Sequence, residues 1–517
     1  MKRMFVCFLV LTLVLSGCSF AEPKTEGTQI NLSDSGITVD EMPITNDSTQ
    51  AVYAARDIVF YPTGQDFTFG EGTEGDAHEQ SEADAHTVVH ITKPGRYILS
   101  GTLSQGQIAV DLGEDAQEEP DAVVTLILDG ADITCTVAPA IIFYNVYECC
   151  SSDEETASKD VDTSKAGANV IIADGSENNI SGSYVAKIYK SCELNAEGTE
   201  VVDSKKLHKY DAAFYSKRTM NISGGSKGTG ILNITAENEG LDSELHLTIN
   251  GGTINITSGN DGINTNEDNV SVTTVNGGML NILCDGSTGE GDGIDSNGWL
   301  VINGGTVIAQ ACAVSGDAGI DSDKGIYIQG GTVIASGNML DRIAGGDQTY
   351  AVFSFAGRQN GGDTYTLKDS SGKAVGEYAP TNAFTYLIVA GDVLTPGEYT
   401  FWQGDTQLAA SSMQNMPGEM PQGGRGEKNQ GQQETPPEIP GDVERPEQPN
   451  EEPPQMPDGQ MQNGEPPQMP DGEMPYGERP EMPDGMMGGN RMPAGETSEI
   501  FTIAKDENLF FNVSPVQ

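Results

Sequence analysis

The 517-residue sequence predicts an all-β chain, most of it wound as a right-handed parallel β-helix, and three observations carry that prediction. Gly-Gly pairs begin at Gly224, Gly251, Gly277, Gly304 and Gly330, in steps of 26 or 27 residues. Each pair interrupts a short alternating run, such as Leu247-Thr248-Ile249-Asn250-Gly251-Gly252-Thr253-Ile254-Asn255-Ile256. A second motif keeps step with the first: Gly240-Leu241-Asp242-Ser243, Gly262-Ile263-Asn264-Thr265, Gly293-Ile294-Asp295-Ser296 and Gly319-Ile320-Asp321-Ser322.

A fixed period of this size marks a solenoid. Apolar, polar, apolar, then glycine and again the same, reads as strand, tight turn, strand. Glycine takes a positive φ at the corner without a steric penalty. One repeat therefore holds about three short strands, and successive repeats stack about 4.8 Å apart. Stacking lines Phe214, Leu241, Ile263, Ile294 and Ile320 into one inward column, and Ile222, Ile249, Val275, Ile302 and Ile328 into another. Each repeat buries its apolar side only against its neighbours, so several are required. The body expected to carry these repeats runs from 51 to 348, with acidic loop insertions at 70–85 and 149–167. Residues 349–412 are β-rich and read as a C-terminal cap. Residues 413–497 collapse into Met, Pro, Gly, Gln and Glu, too poor in β-branched and aromatic residues for a core, and read as a disordered insertion. A strand pattern resumes at Ile500 and Leu509, so 498–517 is expected to rejoin the body.

The N-terminus reads as an export signal. Lys2 and Arg3 precede an apolar run from Phe5 to Leu15, too short for a permanent span. It ends in Leu15-Ser16-Gly17-Cys18, which resembles a bacterial lipobox. That resemblance implies cleavage after residue 17, lipidation of Cys18, a flexible tether over 18–50, and an extracellular protein anchored to the cell membrane. Acidic residues outnumber basic ones 77 to 27, for a formal charge of −50. Such a surface excludes nucleic acid, whose binding rests on Lys and Arg neutralising phosphates. It equally excludes an electrostatic grip on anionic lipid, leaving the lipid on Cys18 as the membrane contact. The remaining cysteines, Cys135, Cys149, Cys150, Cys192, Cys284 and Cys312, match no zinc spacing.

In each copy of the second motif the apolar residue faces in, so the next faces out. Asp242, Asn264, Asp295 and Asp321 should form one outward ladder. Glu244, Asn266, Asn297 and Asp323 should form a second beside it, with Asp261 and Asp292 approaching from the preceding turn. Stacked carboxylates repel, and Ca2+ takes 6–8 oxygen ligands of just these kinds. No His or Cys joins the cluster to attract a transition metal. The alternative is a ladder of ordinary turn residues held by side-chain hydrogen bonds.

These features together resemble a known family. The lipobox, the Tyr97-Ile98-Leu99-Ser100-Gly101-Thr102 entry, the Leu128-Asp129-Gly130-Ala131-Asp132-Ile133 run and the Gly293-Ile294-Asp295-Ser296-Asn297 repeats are similar to bacterial extracellular carbohydrate-binding proteins typical of clostridia. The resemblance covers roughly residues 52–346. It implies a fold like that of polysaccharide lyases, calcium on the helix, and affinity for cellulose and acidic plant polysaccharides. Sugar binding needs aromatic platforms, and Trp299 and Tyr327 fall on outward positions just after the Asp ladders, with His246 in the place that Trp299 holds in its own repeat. A calcium-dependent lyase would also need a base beside the ion, for which Lys324 and Lys217 are the candidates. A third class is a rigid surface adhesin or scaffold with no small ligand.

Overall fold

The computed structural model describes residues 26–412, 497–505 and 507–516, all of them in one compact unit. The expected export signal, Cys18 and the low-complexity segment up to residue 496 lie outside the described residues. The described residues are all-β, with large sheets of 26 and 8 strands and a separate two-stranded one. Among the described residues the one α-helix is the short Gln80–Ala83.

Three parallel ladders run through the repeat region. The first stacks Ala212–Ser216, Glu239–Ser243, Ile263–Thr265 and Ile294–Ser296. The second stacks Met220–Gly224, His246–Ile249, Val272–Val275, Trp299–Ile302 and Gly325–Ile328. The third stacks Ile231–Ala236, Thr253–Ser258, Met279–Cys284, Thr306–Gln310 and Thr332–Gly337. Every repeat supplies one strand to the second and third ladders, in constant register. The apolar columns follow: Phe214, Leu241, Ile263 and Ile294 are fully buried, as are Ile222, Ile249, Val275, Ile302 and Ile328. Each such side chain stabilises the fold by about 1.5–3 kcal/mol relative to exposure.

The Gly-Gly period has a steric cause. From the Gly251 pair onward the second glycine is left-handed, as at Gly305 (φ +80°) and Gly331 (φ +83°). A Cβ on Gly305 would also lie 2.7 Å from the carbonyl oxygen of Gly278 on the preceding repeat. Within the third ladder side-chain amides tie successive strands together, with Asn255 donating to Asn233 and Asn281 to Asn255, both at 2.8 Å.

One segment departs from expectation, and both loop insertions are tied back to the body. Part of the supposed tether is structured: Thr28–Leu32 pairs in parallel with Gly95–Leu103, because Ile30 and Leu32 are apolar enough to be buried there. The segment 70–85 is an insertion held against the body. Asp76 accepts a hydrogen bond from the Tyr184 hydroxyl at 2.5 Å, Gly70 bridges Ile188, and Ala83 is buried. The segment 149–167 also returns to the body, where the Thr163 and Thr248 hydroxyls meet at 2.8 Å.

Beyond the repeats, Phe384–Ala390 pairs antiparallel with Thr332–Gly337 and with Tyr350–Gln359, reversing the strand direction. Phe501–Ile503 joins Gly397–Gln403, and Glu507–Pro515 pairs with both Tyr350–Gln359 and Thr406–Ser412. This end has its own aromatic core, in which Phe353 stacks on Phe401 and Phe510. Ile334, which points outward from the repeats, is packed against that core.

Candidate functional site

The first ladder fixes the acidic residues by backbone register alone. Asp242 pairs with Asn264, and Asn264 with Asp295. The backbone N–H of Asp321 donates to the Ile294 carbonyl at 2.7 Å, which puts Asp321 on the rung after Asp295. A second acidic column stands just before the motif glycines. The Gly240 N–H donates to the Asp261 carbonyl at 2.9 Å and the Gly262 N–H to the Asp292 carbonyl at 3.0 Å, so Glu239, Asp261 and Asp292 stack in turn.

The two columns converge. Carboxylate oxygens of Asp292, Asp295 and Asp321 all lie within 4.8 Å of one another, and all three residues are buried. The ladder does leave the apolar core, as expected, but it does not face solvent: Asp242 is 0% and Asn264 7% exposed. Neighbouring side chains and backbone donors cover it. The Asp292 N–H donates to Asp261 Oδ1 at 2.7 Å, and the Ala318 N–H to Asp292 Oδ1 at 2.6 Å. Asn266 Nδ2 donates to both oxygens of Asp242 at 2.9 Å, and Asn264 Nδ2 donates to Glu239 Oε1 at 3.1 Å. The Tyr215 hydroxyl donates to Glu244, and Lys209 pairs with Asp211.

Buried oxygens remain without a hydrogen bond, among them Glu239 Oε2 and Asn264 Oδ1. A buried polar atom left this way is costly. The electrostatics agree. Burial first, then Asp261, Asp321 and Asp295, push the Asp292 carboxyl well above the usual range. Burial and the neighbouring acids do the same to Glu239 and Asp242, opposed in part by Lys209. Asp341 is raised to about 7, by burial and then by Asp321. Two charges this close repel by about 3 kcal/mol at an effective dielectric near 20. The donors are all oxygen, the set that hard cations take.

The second expected ladder keeps its order, the N–H groups of Asn266, Asn297 and Asp323 donating to the carbonyls of Ser243, Thr265 and Ser296, while its side chains and the other candidates have different surroundings. Asn297 donates to the Asn266 carbonyl at 3.0 Å and to Asp268 Oδ1 at 3.1 Å, while Asp323 is exposed on the rim. His246 does share a column with Trp299, through Val272, but it is no sugar platform. It is 3% exposed, its Nδ1 accepts the Val272 N–H at 3.0 Å, and burial depresses its pKa to about 4. Trp299 is half-buried, and Gly325 follows it in the column, so the column itself sets no side chain on that face of the indole. Tyr327 stands in a different column, with Val301, and Lys159 lies 5.3 Å above its ring. Lys324 is partly exposed and sits 3.9 Å from Glu154. Lys217 lines a cavity of about 340 Å3 with Lys209, Arg218, Tyr215 and Glu244.

Sequence reasoning missed Glu239, Asp211, Lys209 and Asp341. Extending the motif by one residue would have found Glu239, which precedes Gly240 as Asp261 precedes Gly262 and Asp292 precedes Gly293. Asp341 lies where the repeat fades and carries no such signal. Glu148, Cys149 and Cys150 also converge, but Glu148 is engaged by the Thr219 N–H and hydroxyl at 2.8 and 2.7 Å.

The class is thus an all-β chain of repeats stacked in parallel register around an apolar core, with a buried acid cluster beside it. Residues 85–371 match the family described as carbohydrate-binding domain-containing protein, and since that is more than half of the chain, the chain belongs to this family. A carbohydrate-binding domain-containing protein of Acetivibrio thermocellus is 30% identical over 169 residues, 32% of this chain and 44% of that protein. The match therefore spans less than half of that relative's length. Among solved structures, the polysaccharide lyase-like protein from C. thermocellum, a gadolinium derivative, aligns with a TM-score of 0.34 at 20% identity, over 62% of this chain and 99% of that one.

Proposed function

We propose that this chain is a cell-surface lipoprotein, extracellular and lipid-anchored through Cys18, that holds plant cell-wall polysaccharide, cellulose or acidic pectic glycans, on a calcium-stabilised right-handed parallel β-helix. The three ladders of constant register support the helix. The family's description supports the carbohydrate. The observation that carries calcium is the convergence of Asp292, Asp295 and Asp321 in a buried place. Asp261 would complete that site, and Glu239, Asp242, Asn264 and Asn266 would hold a second ion in the preceding rungs. Bound calcium would neutralise the stacked carboxylates and offer an open valence to a uronate. Trp299 is the platform for a sugar ring beside it.

Affinity electrophoresis through gels containing cellulose derivatives, pectin or neutral glucans, with calcium or with EDTA, tests this reading. Retardation by at least one glycan is expected, weakened by Trp299→Ala. No retardation by any glycan would leave only the scaffold reading. The cavity beside Tyr215 and Glu244 favours one second reading, a calcium-dependent polysaccharide lyase with Lys217 as base. Ultraviolet absorbance from unsaturated uronate, lost in Lys217→Ala, would establish it.

A further inference from the structure

On the second ladder the repeats present a face unlike the acidic one. Asn221, Thr248, Thr274 and Val301 form one column in register. Beside it Asn250, Asn276, Asn303 and Gln329 form another, exposed but for Gln329. Residues 159–164 cross above both, so that a groove of about 680 Å3 lies between them and the sheet. That volume is typical of a ligand site. The crossing segment is held at both ends: Thr163 bonds Thr248 at 2.8 Å and accepts from Asn221 Nδ2 at 2.8 Å, while Lys159 rests over Tyr327. Thr248 and Tyr327 are three rungs apart, so this strap runs along the stacking axis for about 14 Å.

We propose that this groove binds a linear, uncharged glycan lying along the stacking axis, about one sugar per rung, beneath the 159–164 strap. The proposal rests on the carbohydrate-binding reading above and adds a second, metal-free site to it. Four observations carry it. The floor is uncharged in a chain of net charge −50; the charged lining residues, Lys159, Asp160 and Asp162, are all on the strap. Asn221 is 8% exposed, lines the groove, and leaves its Oδ1 without a hydrogen bond. Asn276 donates to Asn250, and Asn303 to Asn276, each at 2.8 Å, so these two amides each use one N–H in the column and have a second for a ligand. The spacing selects the polymer. A bound peptide strand repeats its side chains on one face every ~6.8 Å, out of step with rungs ~4.8 Å apart. An extended chain of β-1,4-linked pyranoses advances by nearly one rung per sugar with alternate rings turned over, so a given hydroxyl returns to the floor every second rung, in step with the amides.

The test is calorimetric titration of the full-length protein with a cello-oligosaccharide of six units and with an oligogalacturonate of equal length, in calcium and in EDTA. The cello-oligosaccharide should bind wild type in both buffers. Asn276→Ala with Asn303→Ala, two exposed positions, should weaken it about tenfold or more. Thr274→Arg, which fills the floor, should abolish it, and calcium affinity should stay unchanged in both variants. Hydrogen exchange should slow in 159–164 when the sugar is bound. Undiminished binding by both variants, or a strap whose exchange is unaffected by sugar, would overturn the groove. If those same proteins are still retarded by polysaccharide gels and Trp299→Ala is not, the carbohydrate-binding reading survives alone. A wild type that binds no glycan overturns both.

Discussion

Two ladders, cut from the same repeat, behave in opposite ways. Asn250, Asn276 and Asn303 stack at the surface, and each amide donates to the oxygen of the one before it. An amide is donor and acceptor at once, so the column satisfies itself. Asp292, Asp295 and Asp321 are brought together by the same register, yet an ionised carboxylate only accepts. Such a column needs protons or a cation from outside itself. The backbone sets the spacing in both cases. The exchange of NH2 for O decides whether that spacing is a self-pairing ladder or a cluster that calls for a cation.

The contrast is most easily broken at Asp295. In calcium, Asp295→Ala should weaken metal binding and cost about 3 kcal/mol, the scale of losing one member of a buried charged group. In EDTA the same substitution should raise Tm, because it removes a repelling charge. A Tm that falls equally in both buffers would make Asp295 an ordinary structural residue.

The next effect is in pH. The folded chain holds Glu239, Asp242, Asp292 and Asp341 at raised pKa values, the last about 7. Between the unfolded carboxylate range and these values the folded state binds more protons than the unfolded one, so metal-free stability falls as pH rises. Melting in EDTA should therefore drop by several degrees from about pH 5 to about pH 8, and calcium should flatten the slope. A metal-free slope of the opposite sign would show that these carboxyls are not strained in the fold.

The smallest effect belongs to the amide ladder. Asn276→Ala should cost about 1 kcal/mol in thermal or urea melts, equally with and without calcium. Any calcium dependence there would erase the distinction between the two columns.

Much of this was legible in the sequence, for physical reasons that also mark its limits. Strand register along Leu241, Ile263 and Ile294 follows from repetition, since identical segments bury identical faces. The acidic column rides on that register, so Asp242, Asn264 and Asp295 could be placed before any coordinates. Cover could not be read in this way. Burial of Asp242 and of His246 depends on segments remote in sequence, and alternation says only which side of a strand a residue takes. The same gap hid Thr28–Leu32, whose five residues are too few to declare a strand until Gly95–Leu103 lies beside them. Tyr327 looked like a free platform because nothing in its own repeat reveals Lys159, which arrives from an insertion five rungs earlier in the chain.

The central claim is that buried, stacked carboxylates create a demand that calcium meets. Calorimetric titration of calcium into the EDTA-stripped protein tests it most directly, with wild type beside Asp295→Asn with Asp321→Asn. The account predicts saturable binding by wild type, a higher Tm on saturation, and loss of both in the double variant. Absence of calcium binding by wild type, with one Tm in calcium and in EDTA, would contradict it.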